Sequence, residues 1–296
     1  MRVFVTGATG FVGTAIVQEL IKAGHQVLGL ARSDASAQRL AEMGAEVLRG
    51  DLEDPDSLQA GTAGADGVIH AGFIHDFTRF QEVCEVDKKA IEVIGDILAG
   101  SDRPLIVTSG TALVSTGKLA TEDVISTFNP AWPRVSEQAV DAVCQGGVRA
   151  AVVRLSPSVH GEEDKHGFVP ILINTAREKG FSAYIGDGLN QWNAVHQRDA
   201  AHLFRLALEN AEPGARYHAA AEQAITVKSI AEAIGRQLNI PVKSIAAETA
   251  AEHFGWFAHM AALDCPASSK LTQERLNWYP THSTLLSDID NGIYTR

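Results

Sequence analysis

The sequence predicts an α/β chain, a doubly wound parallel sheet with a smaller, mostly C-terminal lobe beside it. Three observations carry this. Short β-branched and aromatic runs alternate with stretches of helical apolar spacing from the first residues to about residue 160. The first run enters its helix through a glycine-rich turn, Thr6-Gly7-Ala8-Thr9-Gly10-Phe11-Val12-Gly13. After Gly161 the alternation gives way to loops and short helical stretches. The 296 residues, 45% hydrophobic and 21% charged, suffice for one large domain or a domain with a smaller lobe.

Residues 2–5 read as a buried strand. Beyond the glycine turn, Val12, Ile16, Val17, Leu20 and Ile21 recur at helical spacing, and Gly24 ends the helix. Residues 26–31 read as a second strand, with further strand-like runs at 46–48, 68–70, 105–108 and 150–154. A glycine-rich turn between a strand and a helix N-terminus suits a pyrophosphate. Gly7 permits the tight turn, Gly10 lets the backbone approach the phosphates, and Gly13 lets the helix lie close to the sheet. A dinucleotide is therefore expected at the carboxyl ends of the strands, where Thr6, Arg32, Ala71, Ser109 and Ser156 fall. The second strand closes on Leu30-Ala31-Arg32-Ser33, with no carboxylate at its tip to hold a ribose 2′-hydroxyl. A guanidinium with an adjacent hydroxyl suits a 2′-phosphate, so NADP(H) is expected over NAD(H); the alternative is that Asp34 serves the ribose. The expected division is a dinucleotide-binding domain over residues 1–160, completed by about 195–220, and a substrate lobe over 161–194 and 221–296.

A formal charge of −11 argues against a general nucleic-acid or anionic-membrane binder. Three cysteines with no CxxC spacing fit no disulfide framework and point to the reduced cytoplasm. No signal segment or apolar run of membrane-spanning length is expected, and no internal repeat is visible.

TGATGFVG resembles the TGxxGxxG fingerprint of the extended and atypical short-chain dehydrogenases/reductases, which include the NAD-dependent sugar epimerases and dehydratases. GDLEDPDSL (50–58), DGVIHAG (66–72), IVTSGTALV (106–114), VRLSPSVHG (153–161), GDGLNQWNAVHQRDAAHLFRLALE (186–209) and LTQERLNWYPT (271–281) are similar to further family segments along nearly the whole chain. The resemblance implies a Rossmann-type domain. It also implies that Gly7, Thr9, Gly10, Phe11 and Val12 form the cofactor turn, that Asp51 and Leu52 contact the adenine, and that Ala71, Gly72 and Ser156 lie against the cofactor beside Arg32 and Ser33. Relatives often pair through the helices after strands four and five, which implies a homodimer using residues 80–98 and 131–143.

The resemblance breaks at NPAWPRVSEQAVD (129–141). The family acid is a tyrosine, with a lysine four residues later on the same helix face that lowers its pKa. Aligned on Ser136, the chain writes Pro133 and Glu137 there, and the family's polarising serine falls on Gly110. Proline has no proton to give, and a glutamate would raise a neighbouring phenol's pKa. Ser109, Thr111 and His160 are the candidates to polarise or protonate a substrate oxygen, with His160 expected at the site mouth. Arg134 and Glu137 are candidates for a local ion pair or a ribose contact. Phe254, Trp256 and Phe257 read either as a pocket wall or as helix core. Three functions compete: an NADP(H)-dependent oxidoreductase of a small carbonyl or alcohol, a sugar-nucleotide epimerase or dehydratase, and a non-catalytic redox sensor.

Overall fold

The computed structural model describes residues 1–294 except Thr116, Ala131 and Ala211. In chain order the first half runs β1 (Arg2–Thr6), α1 (Phe11–Lys22), β2 (Gln26–Ala31), α2 (Asp34–Glu42), β3 (Glu46–Arg49), α3 (Pro55–Ala63), β4 (Gly67–His70), α4 (Phe80–Leu98), β5 (Pro104–Gly110), α5 (Ser136–Gln145) and β6 (Arg149–Leu155). There follow β7 (Ser158–His160), α6 (Phe168–Lys179), β8 (Ser182–Ile185), β9 (Gln191–His196), α7 (Gln197–Asn210), β10 (Arg216–Ala219), β11 (Glu222–Thr226), α8 (Val227–Leu238) and β12 (Val242–Ile245). The chain closes with α9 (Ala250–Phe254), α10 (Ala258–Ala261), α11 (Lys270–Leu276) and α12 (Leu285–Asp290).

Seven strands form one parallel sheet in the order β10-β6-β5-β4-β1-β2-β3. Val3 and Val5 point to one face, into a core with Ile16, Val17 and Leu20 of α1 and Leu203 and Phe204 of α7. Phe4 points to the other, with Leu58 of α3, Ile91 and Ile94 of α4 and Val140 of α5. This alternation is what a period-two strand buried on both faces requires. Successive strands run outward from β1 through β2 to β3, and the next, β4, pairs with β1 on its other side. The crevice at the carboxyl ends of β1 and β4 is thus the point where the strand order reverses.

Smaller sheets, β11-β9-β7 and β12-β8, accompany a separate core in which Trp192 and Phe257 pack with Ile173 of α6, Ile230 and Ile234 of α8 and Leu285 of α12. The helix expected over 131–143 begins only at Ser136, and Ala131 lies outside the described residues. Among the described residues, no helix is long and apolar enough to cross a membrane.

Candidate active site

The glycine turn is dictated by close approaches. Gly7 has φ +66°, and a Cβ there would lie 2.6 Å from Gly72 Cα. A Cβ on Gly13 would lie 2.0 Å from the Gly7 carbonyl oxygen. Gly10 differs: its φ is −71°, and a Cβ would meet only the Gly7 oxygen, at 3.3 Å. Gly10 is the N-cap of α1, and no side chain caps that end of the helix. Uncapped N–H groups at the positive end of a helix, beside a backbone that only glycine allows, form a cradle for an anion. The residues present therefore fit a dinucleotide pyrophosphate.

Around this cradle, Ser33 Oγ accepts from Ser36 N at 3.2 Å and donates to Ser36 Oγ at 3.0 Å. Thr9 Oγ1 donates to Ser36 Oγ at 3.4 Å. The Arg32 side chain is 73% exposed, its Nε 3.8 Å from Asp51 Oδ2. Asp34 turns outward to pair with Arg49 at 3.0 Å. Phe11 and Val12 open α1 half-buried, and Leu52 approaches Gly72, whose added Cβ would meet Leu52 Cδ1 at 3.1 Å. Ala71 follows the end of β4 and packs against the main core. Ser156 is buried, its hydroxyl donating to Ala219 O at 2.7 Å.

The residue in the lysine's place is turned inward. Glu137 is 2% exposed, and Arg154, 0% exposed, donates to both of its oxygens, Nε to Oε1 at 2.8 Å and Nη2 to Oε2 at 2.6 Å. Arg216 Nε adds a bond to Oε2 at 3.2 Å. Burial raises the Glu137 pKa, but the bonds and charge of Arg154, with Ser109 and Arg216, bring it below the ordinary value. Glu137 is therefore the anionic partner of a buried arginine. The candidate ion pair between Arg134 and Glu137 does not form, because each side chain has another partner.

The three catalytic candidates are not brought together. Ser109 spends its one proton on Glu137 Oε1 at 2.8 Å. Thr111 is 1% exposed, its hydroxyl shared between Asn193 Oδ1 at 3.0 Å and Leu155 O at 3.3 Å. His160 is not at the mouth, as the sequence led us to expect, but 1% exposed beneath α12. Its Nδ1 lies 2.6 Å from Asp288 Oδ2, and its ring packs edge-on to His196, which stacks on His282. A histidine on a short strand beside "SPSV" gave no signal that a C-terminal helix would cover it. Phe254 and Phe257 are buried core, whereas Trp256 is 67% exposed.

Sequence reasoning missed a buried polar chain behind the crevice. Burial raises the Asp87 pKa, but Arg134 and His70 outweigh it, so Asp87 stays a carboxylate. His70 Nε2 then donates to Asp87 Oδ1 at 3.2 Å, and His70 Nδ1 lies within hydrogen-bond distance of Thr6 Oγ1 at 2.8 Å. Thr6 Oγ1 in turn accepts from Gly72 N at 3.1 Å. On the other side Asp87 Oδ2 accepts from Ser136 Oγ at 2.5 Å, and Ser136 Oγ accepts from Arg134 Nε at 2.9 Å. Arg134 Nη2 donates to Thr108 O at 2.9 Å, and its guanidinium lies 4.3 Å from the Phe73 ring centroid. The signal was one residue away, since Arg134 follows the proline that replaces the tyrosine.

The family model described as NAD dependent epimerase/dehydratase family matches residues 3–220. The chain belongs to this family. It is 51% identical to an uncharacterized protein of Schizosaccharomyces pombe, over 99% of this chain and 100% of that one. It is 29% identical to 2-alkyl-3-oxoalkanoate reductase of Stenotrophomonas maltophilia, over 73% of this chain and 67% of that one. The structure superposes on DesIV, a dTDP-glucose 4,6-dehydratase from Streptomyces venezuelae with NAD and TYD bound, with a TM-score of 0.79, covering 99% and 96% of the two chains. At 16% identity that likeness is one of fold. As an epimerase/dehydratase-family member, the chain stands among NAD(P)-dependent oxidoreductases, epimerases and dehydratases, with reductases and a dehydratase among its neighbours.

Proposed function

We propose that the protein is an NADP(H)-dependent oxidoreductase that interconverts a small carbonyl compound and its alcohol. The observation that carries this is the cradle of Gly7, Gly10 and Gly13 at the reversal of strand order, with the uncapped end of α1 facing it. When bound, the cofactor supplies the hydride chemistry, and the protein's part is to hold and orient the reactants. Exposed Arg32, with the Ser33 and Ser36 hydroxyls beside it, supports a 2′-phosphate, and Asp34's pairing with Arg49 leaves the ribose without that carboxylate. The reductase among the relatives supports a carbonyl substrate.

Two measurements test this reading. Arg32→Ala should weaken NADPH binding by about 1.5–3 kcal/mol and leave NADH nearly unchanged, the range for bonds to charged groups. Tighter binding of NADH than NADPH by the wild type would sink the cofactor preference. Steady-state assays over a panel of aldehydes, ketones and sugar nucleotides should show reduction of simple carbonyls. A second reading, a non-catalytic dinucleotide sensor, is favoured by the commitment of the Ser109 and Thr111 protons to interior acceptors. Tight NADPH binding with no turnover across the panel would select it.

A further inference from the structure

With tyrosine absent, the question is which donor can meet a substrate oxygen. Hydrogen-bond arithmetic removes the hydroxyls at the carboxyl ends of β5 and β6, since each carries one proton. Thr108 gives its proton to the His70 carbonyl oxygen at 3.0 Å, Ser109 to Glu137, Thr111 to interior acceptors and Ser156 to Ala219, while Thr6 Oγ1 is held between His70 Nδ1 and Gly72 N. Arg134 is different. Its Nε and one Nη2 proton are anchored, Asp87 lies 3.9 Å behind it, and the Phe73 face fixes the plane. Among the described residues Nη1 has no hydrogen-bond partner, and the side chain is 18% exposed. Phe73, Phe80 and Trp132 run from it as a row of edge-to-face rings with centroids 6.5 and 6.1 Å apart.

We propose that Arg134 is the oxygen-binding residue of the substrate cleft, and that its ligand is a flat carbonyl compound. The ligand's oxygen accepts from Nη1, and its aromatic or conjugated body lies along the Phe73–Phe80–Trp132 row. This rests on the oxidoreductase reading for the identity of the ligand, though not for the existence of the site. A cation whose own acceptors are fixed behind it suits an oxygen that gains negative charge, because no reorganisation is needed when the charge appears.

The ionisable groups set against Arg134 are Cys84, Asp87 and His75. Burial pushes the Cys84 thiol up to about 11, Asp87 stays below the ordinary carboxylate value, and desolvation with the Arg134 charge lowers the His75 pKa.

The test uses benzoate, a flat oxyanion, titrated calorimetrically into the cofactor-free protein. Wild type should bind it with an affinity that is flat from pH 7 to 9. Arg134→Met should weaken it about 10- to 100-fold, and Arg134→Lys should recover part of the loss. If Arg134→Met fails to fold because Asp87 loses its cation, the pair Arg134→Met with Asp87→Asn removes both charges and answers the same question. In parallel, NADPH-dependent reduction of benzaldehyde should lose about 10²- to 10³-fold in kcat/KM in the variant while NADPH affinity is unchanged. Wild-type benzoate affinity in a folded Arg134 variant overturns the proposal. So does wild-type binding that fades between pH 6 and 8, as a histidine's would. Benzoate binding through Arg134 with no benzaldehyde turnover would keep this site and discard the oxidoreductase reading instead.

Discussion

At the scale of single residues, the largest departure from the family pattern is Glu137. The sequence made plain that a lysine was missing, because Ser136 fixes the register. It did not show where the glutamate points, since its partners Arg154 and Arg216 are supplied by β6 and β10 from far along the chain. A position where the family pattern puts a lysine that serves the chemistry here holds the anionic partner of a buried arginine, and so matters for stability. Glu137→Gln leaves Arg154, which no water reaches, without its carboxylate, and removing one partner of a buried pair typically costs about 3–5 kcal/mol. Denaturant unfolding should show a loss of that size, while turnover of the folded fraction stays within about tenfold of wild type. A loss below about 1 kcal/mol would mean that the neighbouring Arg216–Asp141 pair reorganises to carry the charge. The burial of Thr111 and the position of His160 were illegible for a related reason. Asn193, Asp288 and α12 cover them from distant parts of the chain, and no local pattern announces such cover.

At the scale of elements, local signals served well wherever an element is decided by its own residues. β1 runs one residue beyond the expected strand, and α1 carries the anticipated apolar face. Element starts that depend on tertiary contacts were less legible. α5 begins only at Ser136, after Pro133, and the residues at its start are tied into the crevice by the bonds of Arg134 to Thr108 O and of Ser136 to Asp87. The packing of α1 against its own turn gives a clean prediction. An added Cβ at Gly13 would stand 2.0 Å from the Gly7 oxygen, so Gly13→Ala must push the helix and the glycine turn apart. Overpacking of this kind costs about 1–3 kcal/mol and should weaken folding and dinucleotide binding together. A Gly13→Ala protein with wild-type melting behaviour and wild-type NADPH affinity would contradict this account of the turn.

At the scale of the whole molecule, the fold class was legible because alternating strands and helices leave few topologies open. Two buried imidazoles shape its response to acid. Burial, with the Arg154 charge, lowers the His218 pKa to about 4, and burial with the neighbouring histidines does the same to His196. Each is neutral when folded but takes up a proton near 6.5 when unfolded, so their stabilisation is complete above pH 6.5 and is lost as pH falls toward 4. Burial raises Asp164 to about 6 and raises Glu222 as well, and both act oppositely by favouring the folded state as pH falls, but burial also lowers His75 and His253, which add to the loss from His218 and His196. Thermal unfolding should therefore shift downward between pH 6.5 and 4.5, and His218→Gln should reduce the slope by about one proton, or 1.4 kcal/mol per pH unit. An unchanged slope would show that His218 is already protonated in the fold. The central claim, a dinucleotide held on the glycine turn, is tested most directly by calorimetric titration of NADPH into wild type and Gly10→Val. Valine tolerates the extended backbone of Gly10, and its Cβ meets little of the protein, so the variant should fold with a loss of about 1 kcal/mol. The account predicts tight binding by wild type and none by folded Gly10→Val; wild-type affinity in that variant, or no binding of either NADPH or NADH by the wild type, would contradict it.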